Sequence, residues 1–153
     1  MQIVAFGLDG YRYAVPLDQV RELARVPTCV PLPKAPAIIE GIFNLRGKAV
    51  PVLDIRARFR LPPKSPHPAD HLIIAMAGTR LTALRVDRVH GQFDIDDKDI
   101  EVAAAVTPRT EYLAGIAKLP DGLVLIHDLT SFLADAEALA LDDALAMNAP
   151  TSS

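Results

Sequence analysis

The chain has 153 residues, of which 50% are hydrophobic and 23% are charged, and its formal net charge is −3. This length is enough for one domain with a real apolar core, and the composition argues against an intrinsically disordered chain. The mildly acidic balance excludes a basic surface for nucleic acid, and no apolar run approaches the roughly 18 residues of a membrane span.

The N-terminus and the cysteine content predict a cytoplasmic protein without direct membrane insertion. The first residues lack the basic region of a signal peptide and reach an acid early, at Asp9. Cys29 has no second cysteine with which to form an internal disulfide, as is usual in a reducing compartment.

The first sixty residues mostly predict short strands. Asp9-Gly10 is typical of a tight hairpin turn, and Pro51, which cannot donate to a ladder, indicates an edge or a bulge. Residues 17–23 place apolar side chains at i, i+3 and i+6, which favours one or two helical turns. The strands expected here are residues 2–8, 11–15, 41–45 and 49–53.

The second half repeats this pattern and then changes. A proline-rich stretch over residues 61–68 is the expected internal linker. From Leu129 the chain becomes rich in Ala and Leu, which predicts a helix to about Met147 and a flexible tail over residues 148–153. The strands expected between linker and helix are residues 71–77, 80–86, 92–95, 100–103, 112–119 and 123–127.

The chain contains an internal repeat. The segment that begins at Gly41 matches the one that begins at Gly115 with a constant offset of 74 residues, and the hairpin ending at Val20 matches the one ending at Val89 with an offset of 69. Residues of about 16–60 and 85–133 are therefore expected to form matching halves of a single domain over residues 1–147. Short strands at this spacing predict two similar small barrels packed together, because closed sheets have no exposed edges.

No catalytic or metal-binding constellation is evident. His67 and His71 lie four residues apart in a proline-rich loop without a third ligand, and Cys29 has no neighbouring base. The acidic run over residues 94–99 is interpreted as a solvated loop, and Asp54 and Asp128 as N-caps of helical turns. We therefore expect neither an enzyme nor a bound cofactor.

Two charged residues stand apart from this background. Arg46 lies in a turn between two apolar strands, where its guanidinium could pair with the carboxylate of Glu22 or remain solvated. Arg56, Arg58 and Arg60 alternate along one segment, and a solvated face is the default interpretation.

The chain resembles CheW-type coupling proteins of bacterial chemosensory arrays from Ile3 to about Leu133. The most specific match is residues 41–47 (GIFNLRG) followed by residues 50–56 (VPVLDIR), which fit the family pattern G-x-x-N-L-R-G-x-x-x-P-x-x-D-L-R. The resemblance implies a mainly β fold in which two five-stranded barrels pack around a common apolar core.

The resemblance also implies a non-catalytic scaffold. Family members link the cytoplasmic tip of methyl-accepting chemoreceptors to the regulatory domain of a CheA-type histidine kinase, with a ring assembly as a further possibility. Glu22 and Arg46 match the family's functional acid and arginine, expected to form an ion pair. The residues that match the partner-binding groove are Val20, Gly41, Ile42, Asn44, Val86 and Val89.

One segment departs from the family pattern. Residues 101–111 are short and rich in Ala, where relatives often carry prolines or an aromatic in a loop that contacts the kinase. Two alternatives therefore stay open. The first is an adaptor of another chemosensory pathway, such as pilus motility or biofilm formation. The second is a ligand-binding or enzymatic pair of barrels, which a deep polar pocket with perturbed acids would favour.

Overall fold

The computed structural model describes residues 1–25, 29–65, 67–102, 113–120, 122–129 and 135–147. These residues form strands, two single 3-10 turns, a four-residue helix α1 (Ile55–Arg58) and a C-terminal helix α2 (Asp135–Met147). The strands are β1 (Gln2–Leu8), β2 (Tyr11–Pro16), β3 (Val20–Arg25), β4 (Ile39–Leu45), β5 (Lys48–Leu53), β6 (His71–Ala77), β7 (Arg80–Val86), β8 (Arg88–Asp94), β9 (Ile100–Val102), β10 (Leu113–Leu119) and β11 (Gly122–His127).

The strands form two sheets. The order in the six-stranded sheet is β8-β1-β2-β11-β10-β9, and the order in the five-stranded sheet is β3-β6-β7-β5-β4. In each sheet an antiparallel hairpin, β1-β2 or β6-β7, is joined on one side by a parallel partner, β11 or β5. The described strands are otherwise antiparallel, which matches the hairpins expected from the turn residues.

The two halves of the repeat exchange their hairpins. The pair Val52 and Ala83 in the five-stranded sheet corresponds to Ile126 and Ala14 in the six-stranded sheet, with offsets of 74 and 69 residues. The hairpin of each half therefore completes the sheet that the strands of the other half begin. Because each sheet contains strands from both halves, the two sheets are parts of one interlocked unit.

Each sheet curves around a small core of its own. In the five-stranded sheet, one cluster takes side chains from all five strands, so the sheet must bend around it, as a small barrel does. A similar cluster fills the six-stranded sheet. The buried members are Phe43, Val50, Val52, Leu72, Ile74 and Ala83 in the first, and Ile3, Ala14, Ile95, Ala117, Val124 and Ile126 in the second.

A third and larger cluster lies between the sheets. Phe6 from β1, Ile73 from β6, Leu84 from β7 and Leu141 from α2 are all fully buried in it. Successive residues of β6 alternate between this shared cluster and the inner cluster of their own sheet, because side chains along a strand point to opposite faces. The predicted fold, two small barrels on a shared apolar core with a C-terminal helix, is confirmed, and one barrel has six strands instead of five.

The sequence indicates an edge or a bulge at Pro51. This residue lies in β5, which pairs on both sides, so the edge is wrong, whereas the register of β4 against β5 does shift close to Pro51, between Ile39 and Gly41. Ile42, opposite Pro51, exchanges its main-chain hydrogen bonds with Val30, both at 2.8 Å, and does not direct them to β5. The nitrogen of Pro51 therefore faces β7, and the ladder with β7 begins only at Val52. A proline fits here because its missing N–H removes no bond of that ladder.

One expectation about helical turns needs correction, and one of the two expected N-caps is confirmed. The helical turns expected over residues 17–23 shrink to one 3-10 turn at Leu17–Gln19, and β3 begins at Val20. Asp54 caps α1 as expected, since its side chain accepts a hydrogen bond from the main-chain nitrogen of Ala57 at 3.3 Å. Asp128 Oδ1 accepts from Gln19 Nε2 at 2.9 Å. The turn that Asp128 is expected to cap lies mostly outside the described residues, so that cap stays a prediction.

Candidate functional site

An ion pair between Glu22 and Arg46 joins the two edges of the five-stranded sheet. Arg46 Nη2 donates to Glu22 Oε1 at 2.8 Å. Glu22 lies on β3, the first strand of that sheet, and Arg46 lies in the turn that follows β4, the last strand. The pair therefore connects strands that share no ladder, and it leaves most of the Arg46 side chain exposed (73%).

The turn that carries Arg46 is rigid for local reasons. Arg46 and Gly47 both have positive φ, at 49° and 88°, the geometry of a two-residue hairpin turn that matches the twist of the strands. Asn44 Oδ1 accepts a hydrogen bond from the main-chain nitrogen of Gly47 at 2.7 Å. Asn44 therefore acts on the site by fixing the turn, and its side chain is itself exposed.

A β-bulge at Arg21 determines where the neighbouring side chains of β3 point. Val20 pairs with Ala75 and Glu22 with Ile74, so the register skips Arg21. Val20 packs against the core between the sheets, whereas Glu22 lies on the inner face of its own sheet. The bulge thus places the apolar Val20 and the acidic Glu22 on opposite faces of β3, although they are two residues apart in the chain.

Three of the predicted groove residues border the core between the sheets. Val20, Ile42 and Val89 are half-buried and pack against the shared cluster. Val20 and Val89 occupy equivalent positions of the repeat, since Val20 pairs with Ala75 and Val89 with Phe6. They therefore present apolar surface from both sheets.

Leu23 belongs with this apolar surface and was missed from the sequence. It pairs with Ile73, a residue of the shared cluster, yet its side chain is 51% exposed. An exposed leucine beside half-buried valines is an apolar surface that a partner can cover. A helix over residues 17–23 would place Leu23 on the same apolar face as Leu17 and Val20, so the sequence alone gives no sign that Leu23 is exposed. The equivalent residue in the other half is the polar Gln92.

Gly41 and Val86 do not present side-chain surface to a partner. Val86 is fully buried in the shared core. Gly41 is buried, and a Cβ at this position would lie 2.6 Å from the carbonyl oxygen of Val30. The glycine is thus explained by the close approach of a neighbouring chain segment.

The expectation of a solvated arginine face after β5 is wrong for Arg56. Its guanidinium is buried and donates to Asp9 Oδ1 at 2.7 Å, Asp87 Oδ2 at 2.6 Å and the carbonyl of Pro62 at 3.1 Å. Burial alone would lower the pKa of Arg56, but the hydrogen bonds to the two aspartates raise it. This network ties α1 to the hairpin turn of the other sheet.

A second arginine is buried nearby. Arg85 on β7 donates to both carboxylate oxygens of Glu40 at 2.7 and 2.8 Å and to Asp70 Oδ2 at 3.0 Å. The hydrogen bond to Glu40 raises the pKa of Arg85, although burial acts in the opposite direction. Both buried arginines therefore act as structural cations.

The histidines and acids singled out from the sequence are not brought together as a metal site in the described part of the chain. No group of three or more His, Cys, Asp and Glu among the described residues could hold a metal ion. His67 Nδ1 accepts from the main-chain nitrogen of Ala69 at 3.0 Å, which engages it in its own loop. In the acidic run, Asp94 and Asp97 lie 3.6 and 3.7 Å from the amino group of Met1. Over the same part of the chain, no helix is long and apolar enough to cross a membrane.

Most of the segment that departs from the family pattern lies outside the described residues. Of residues 101–111 only the first two are described, as part of β9. The expectation about a kinase contact in this loop therefore stays a prediction.

Comparisons with known proteins agree with this architecture. A family model described as a CheW-like domain matches residues 2–137. The chemotaxis protein CheW of Klebsiella aerogenes is 27% identical over 144 residues, covering 93% of this chain and 87% of that protein. The CheW of Rhizobium meliloti is 26% identical over 132 residues, or 85% of each chain. The crystal structure of the scaffolding protein TtCheW from Thermoanaerobacter tengcongensis has a TM-score of 0.81 and 32% identity, covering 89% of this chain and 94% of that one.

Proposed function

Because this chain belongs to the family of CheW-like domains, it is a non-catalytic coupling scaffold of chemotaxis signalling, and we propose that it joins methyl-accepting receptors to a CheA-type histidine kinase. We further propose that it works in the cytoplasm, at receptor arrays of the inner membrane, where scaffold and kinase can assemble into rings.

One observation carries the proposed contacts. The Glu22–Arg46 ion pair and the apolar side chains of Val20 and Leu23 share the edge strand β3, and Val89 on β8 packs against the same shared cluster as Val20. A surface of this kind suits the tip of a receptor hairpin. Its apolar helix face would cover the leucine and valines, and the charged pair would set its register.

The proposed docking surface uses fewer residues than the resemblance implies. It consists of Val20, Glu22, Leu23, Ile42, Arg46 and Val89, with Asn44 holding the turn. We leave out Gly41 and Val86, because neither offers an exposed side chain. The kinase contact is proposed for a different surface, so that one scaffold can hold both partners at once.

Calorimetric titration against a soluble receptor tip and, separately, against the kinase regulatory domain tests this proposal. Leu23→Glu places a charge on the docking surface at an exposed position, where the fold can tolerate it. Leu123→Glu is the matched control, since Leu123 is also an exposed leucine in a strand but lies on β11. We expect Leu23→Glu to weaken receptor binding at least tenfold, and Leu123→Glu to leave it unchanged.

The ion pair needs a second set of variants. Arg46→Asn removes the guanidinium and keeps a residue that tolerates positive φ, and Glu22→Gln removes the opposite charge. If the pair is what partners recognise, each variant weakens binding and the double variant weakens it no further than either one alone. Partner binding that survives both single substitutions would contradict the role proposed for the pair.

A further inference from the structure

A large cleft of the described structure lies on the six-stranded sheet, and its lining residues Arg88 and His90 flank Val89 on β8. It has a volume of about 940 Å³ and opens beside the β1-β2 hairpin turn, between the loop residues Lys64, His67, Ala69 and Asp70 and the outer strand β8. This volume falls within the range of small-molecule sites in proteins.

The internal repeat allows the residues of this cleft to be compared with the equivalent residues of the five-stranded sheet. Arg12 on β2 and Phe93 on β8 correspond to Leu81 and Ala24 in the five-stranded sheet, where both pack against the inner apolar cluster. Gly7, paired with Arg12, corresponds to Met76, paired with Leu81. The six-stranded sheet is thus open and cationic at a place where the other sheet is filled by apolar side chains.

The electrostatics of the cleft favour an anion, although the chain as a whole is acidic. Lys64 and Arg88 line it, together with two histidines. Its two carboxylates are already engaged, because Asp87 binds the buried Arg56 and Asp70 binds the buried Arg85. Asp87 also lies 3.4 Å from Lys64 Nζ, so Arg88 and Arg12 are the lining cations that neither carboxylate of the cleft pairs with. The cationic side chains therefore dominate the field inside the cleft.

The histidines add directed hydrogen-bond donors. His67 Nδ1 accepts a hydrogen bond from the main chain, so the neutral ring carries its proton on Nε2. His90 lies over Gly7, where a Cβ would stand 3.0 Å from its Nε2. The glycine therefore leaves the space that the ring occupies at the wall of the cleft.

The cleft also carries exposed aromatic surface. Tyr11 (62% exposed) and Phe93 (39% exposed) are the exposed aromatic side chains of the described residues, and both line this cleft. Exposed rings next to cationic side chains suit a ligand that joins a flat ring to a negative group, because the ring can stack while the charge is neutralised.

We propose that this cleft, between the β1-β2 turn, the loop residues Lys64, His67, Ala69 and Asp70, and β8, binds an aromatic phosphate, a small molecule of the nucleotide class. Arg88 and Lys64 bind the phosphate, His67 and His90 donate to it, and Phe93 stacks on the ring. The proposal concerns a small-molecule ligand, so its test does not depend on the outcome of the receptor and kinase titrations above.

Titration of the labelled full chain, followed by amide chemical shifts in NMR, tests the proposal with three probes. ADP carries both ring and phosphate, pyrophosphate carries only the charge, and adenosine carries only the ring. We expect ADP at millimolar concentration to shift the amides of Gly7, Tyr11 and His90, and both partial probes to shift the same amides with weaker affinity. An absence of shifts with ADP, or shifts confined to other strands, would overturn the proposal.

Three variants sharpen the result. Arg88→Gln should weaken the affinity for ADP and pyrophosphate about tenfold, as expected for loss of a charge-assisted hydrogen bond. Phe93→Ser should weaken ADP about fivefold and leave pyrophosphate unchanged. Arg25→Gln is the control, because it removes an equal charge from an exposed position on β3, the outer strand of the other sheet. Equal affinities in Arg88→Gln and Arg25→Gln would contradict a site in this cleft.

Discussion

The two sheets are built from equivalent strands in equivalent register, yet their edges are treated differently. In the five-stranded sheet the Glu22–Arg46 pair links the first strand to the turn after the last. The equivalent positions in the six-stranded sheet are Gly91 and Pro120, which cannot form an ion pair. The two sheets thus share a backbone pattern but differ in their edge side chains, and the five-stranded sheet carries the charged pair of the proposed docking surface.

The sheets differ in the same way at their last ladder. Val30 makes a single bridge to Ile42, whereas its counterpart Glu101 lies within the three-residue strand β9 and pairs with Ile116. In both places a glycine, Gly41 or Gly115, lies under the crossing segment. Both halves of the repeat therefore keep the glycine that permits close backbone approach. They differ in the length of the approaching segment, which is a single bridge at Val30 and a three-residue strand at β9.

Replacing Arg56 should produce the largest loss of stability, because this residue ties one sheet to the hairpin turn of the other. Arg56→Gln leaves Asp9 and Asp87 without their partly buried counter-charge, at a cost of about 3 kcal/mol in the free energy of unfolding. Burial raises the pKa of Asp87, but the Arg56 hydrogen bond and the Asp9 main-chain nitrogen lower it overall. Denaturant titration at neutral pH measures the loss.

The matched control for Arg56 is Arg60→Gln. Arg60 lies four residues further along the same segment and is exposed, so its loss should cost less than about 0.5 kcal/mol. Similar losses in the two variants would mean that the network contributes little to holding the sheets together.

The pH dependence of folding should distinguish the sheets through His127, whose equivalent in the other sheet is the buried Leu53. His127 is 5% exposed and packs against Phe59, at 4.3 Å between ring centroids, and burial lowers its pKa to about 4. Below pH 6.5 the unfolded chain binds a proton that the folded protein binds only near pH 4. The free energy of unfolding therefore falls as the pH falls through this range, by about 2 kcal/mol between pH 7 and pH 5.

His127→Leu copies the residue of the other sheet and removes this titration. We expect the stability difference between pH 7 and pH 5 to shrink by about 2 kcal/mol in the variant, whatever its stability at pH 7. Denaturant titrations of both proteins at the two pH values give the comparison, and parallel pH profiles would show that His127 is not the titrating group.

Much of this fold could be predicted from the sequence, because its determinants are local. Asp9-Gly10 predicts the first hairpin, and the offsets of 74 and 69 residues predict the duplicated strands. The paired residues of the two sheets are related by the same two offsets. The Glu22–Arg46 pair was expected from the family resemblance and is present at 2.8 Å. Which partner the pair contacts stays a prediction.

Two kinds of feature could not be predicted from the sequence. One depends on contacts between residues distant in the chain, and the other on a bulge that changes the spacing of apolar residues along a strand. The bulge at Arg21 inserts one residue, so Val20 and Leu23 lie three apart in a strand and imitate the spacing of a helix. Arg56 looked solvated because its neighbours alternate with apolar residues, while its partners Asp9 and Asp87 lie 47 and 31 residues away. No local pattern reports such a pairing.

The smallest expected difference concerns the two glycines beneath the crossing segments. A Cβ at Gly41 would stand 2.6 Å from the Val30 carbonyl oxygen, whereas one at Gly115 would stand 3.0 Å from that of Glu101. The first contact forces the backbone to move and the second asks only for a slight adjustment, so Gly41→Ala should destabilise the protein by about 1 kcal/mol more than Gly115→Ala. Paired denaturant titrations measure this difference. A larger loss of stability in Gly115→Ala would contradict this prediction. It would mean that the backbone of β9 yields less to an added methyl group than the segment around Val30 does.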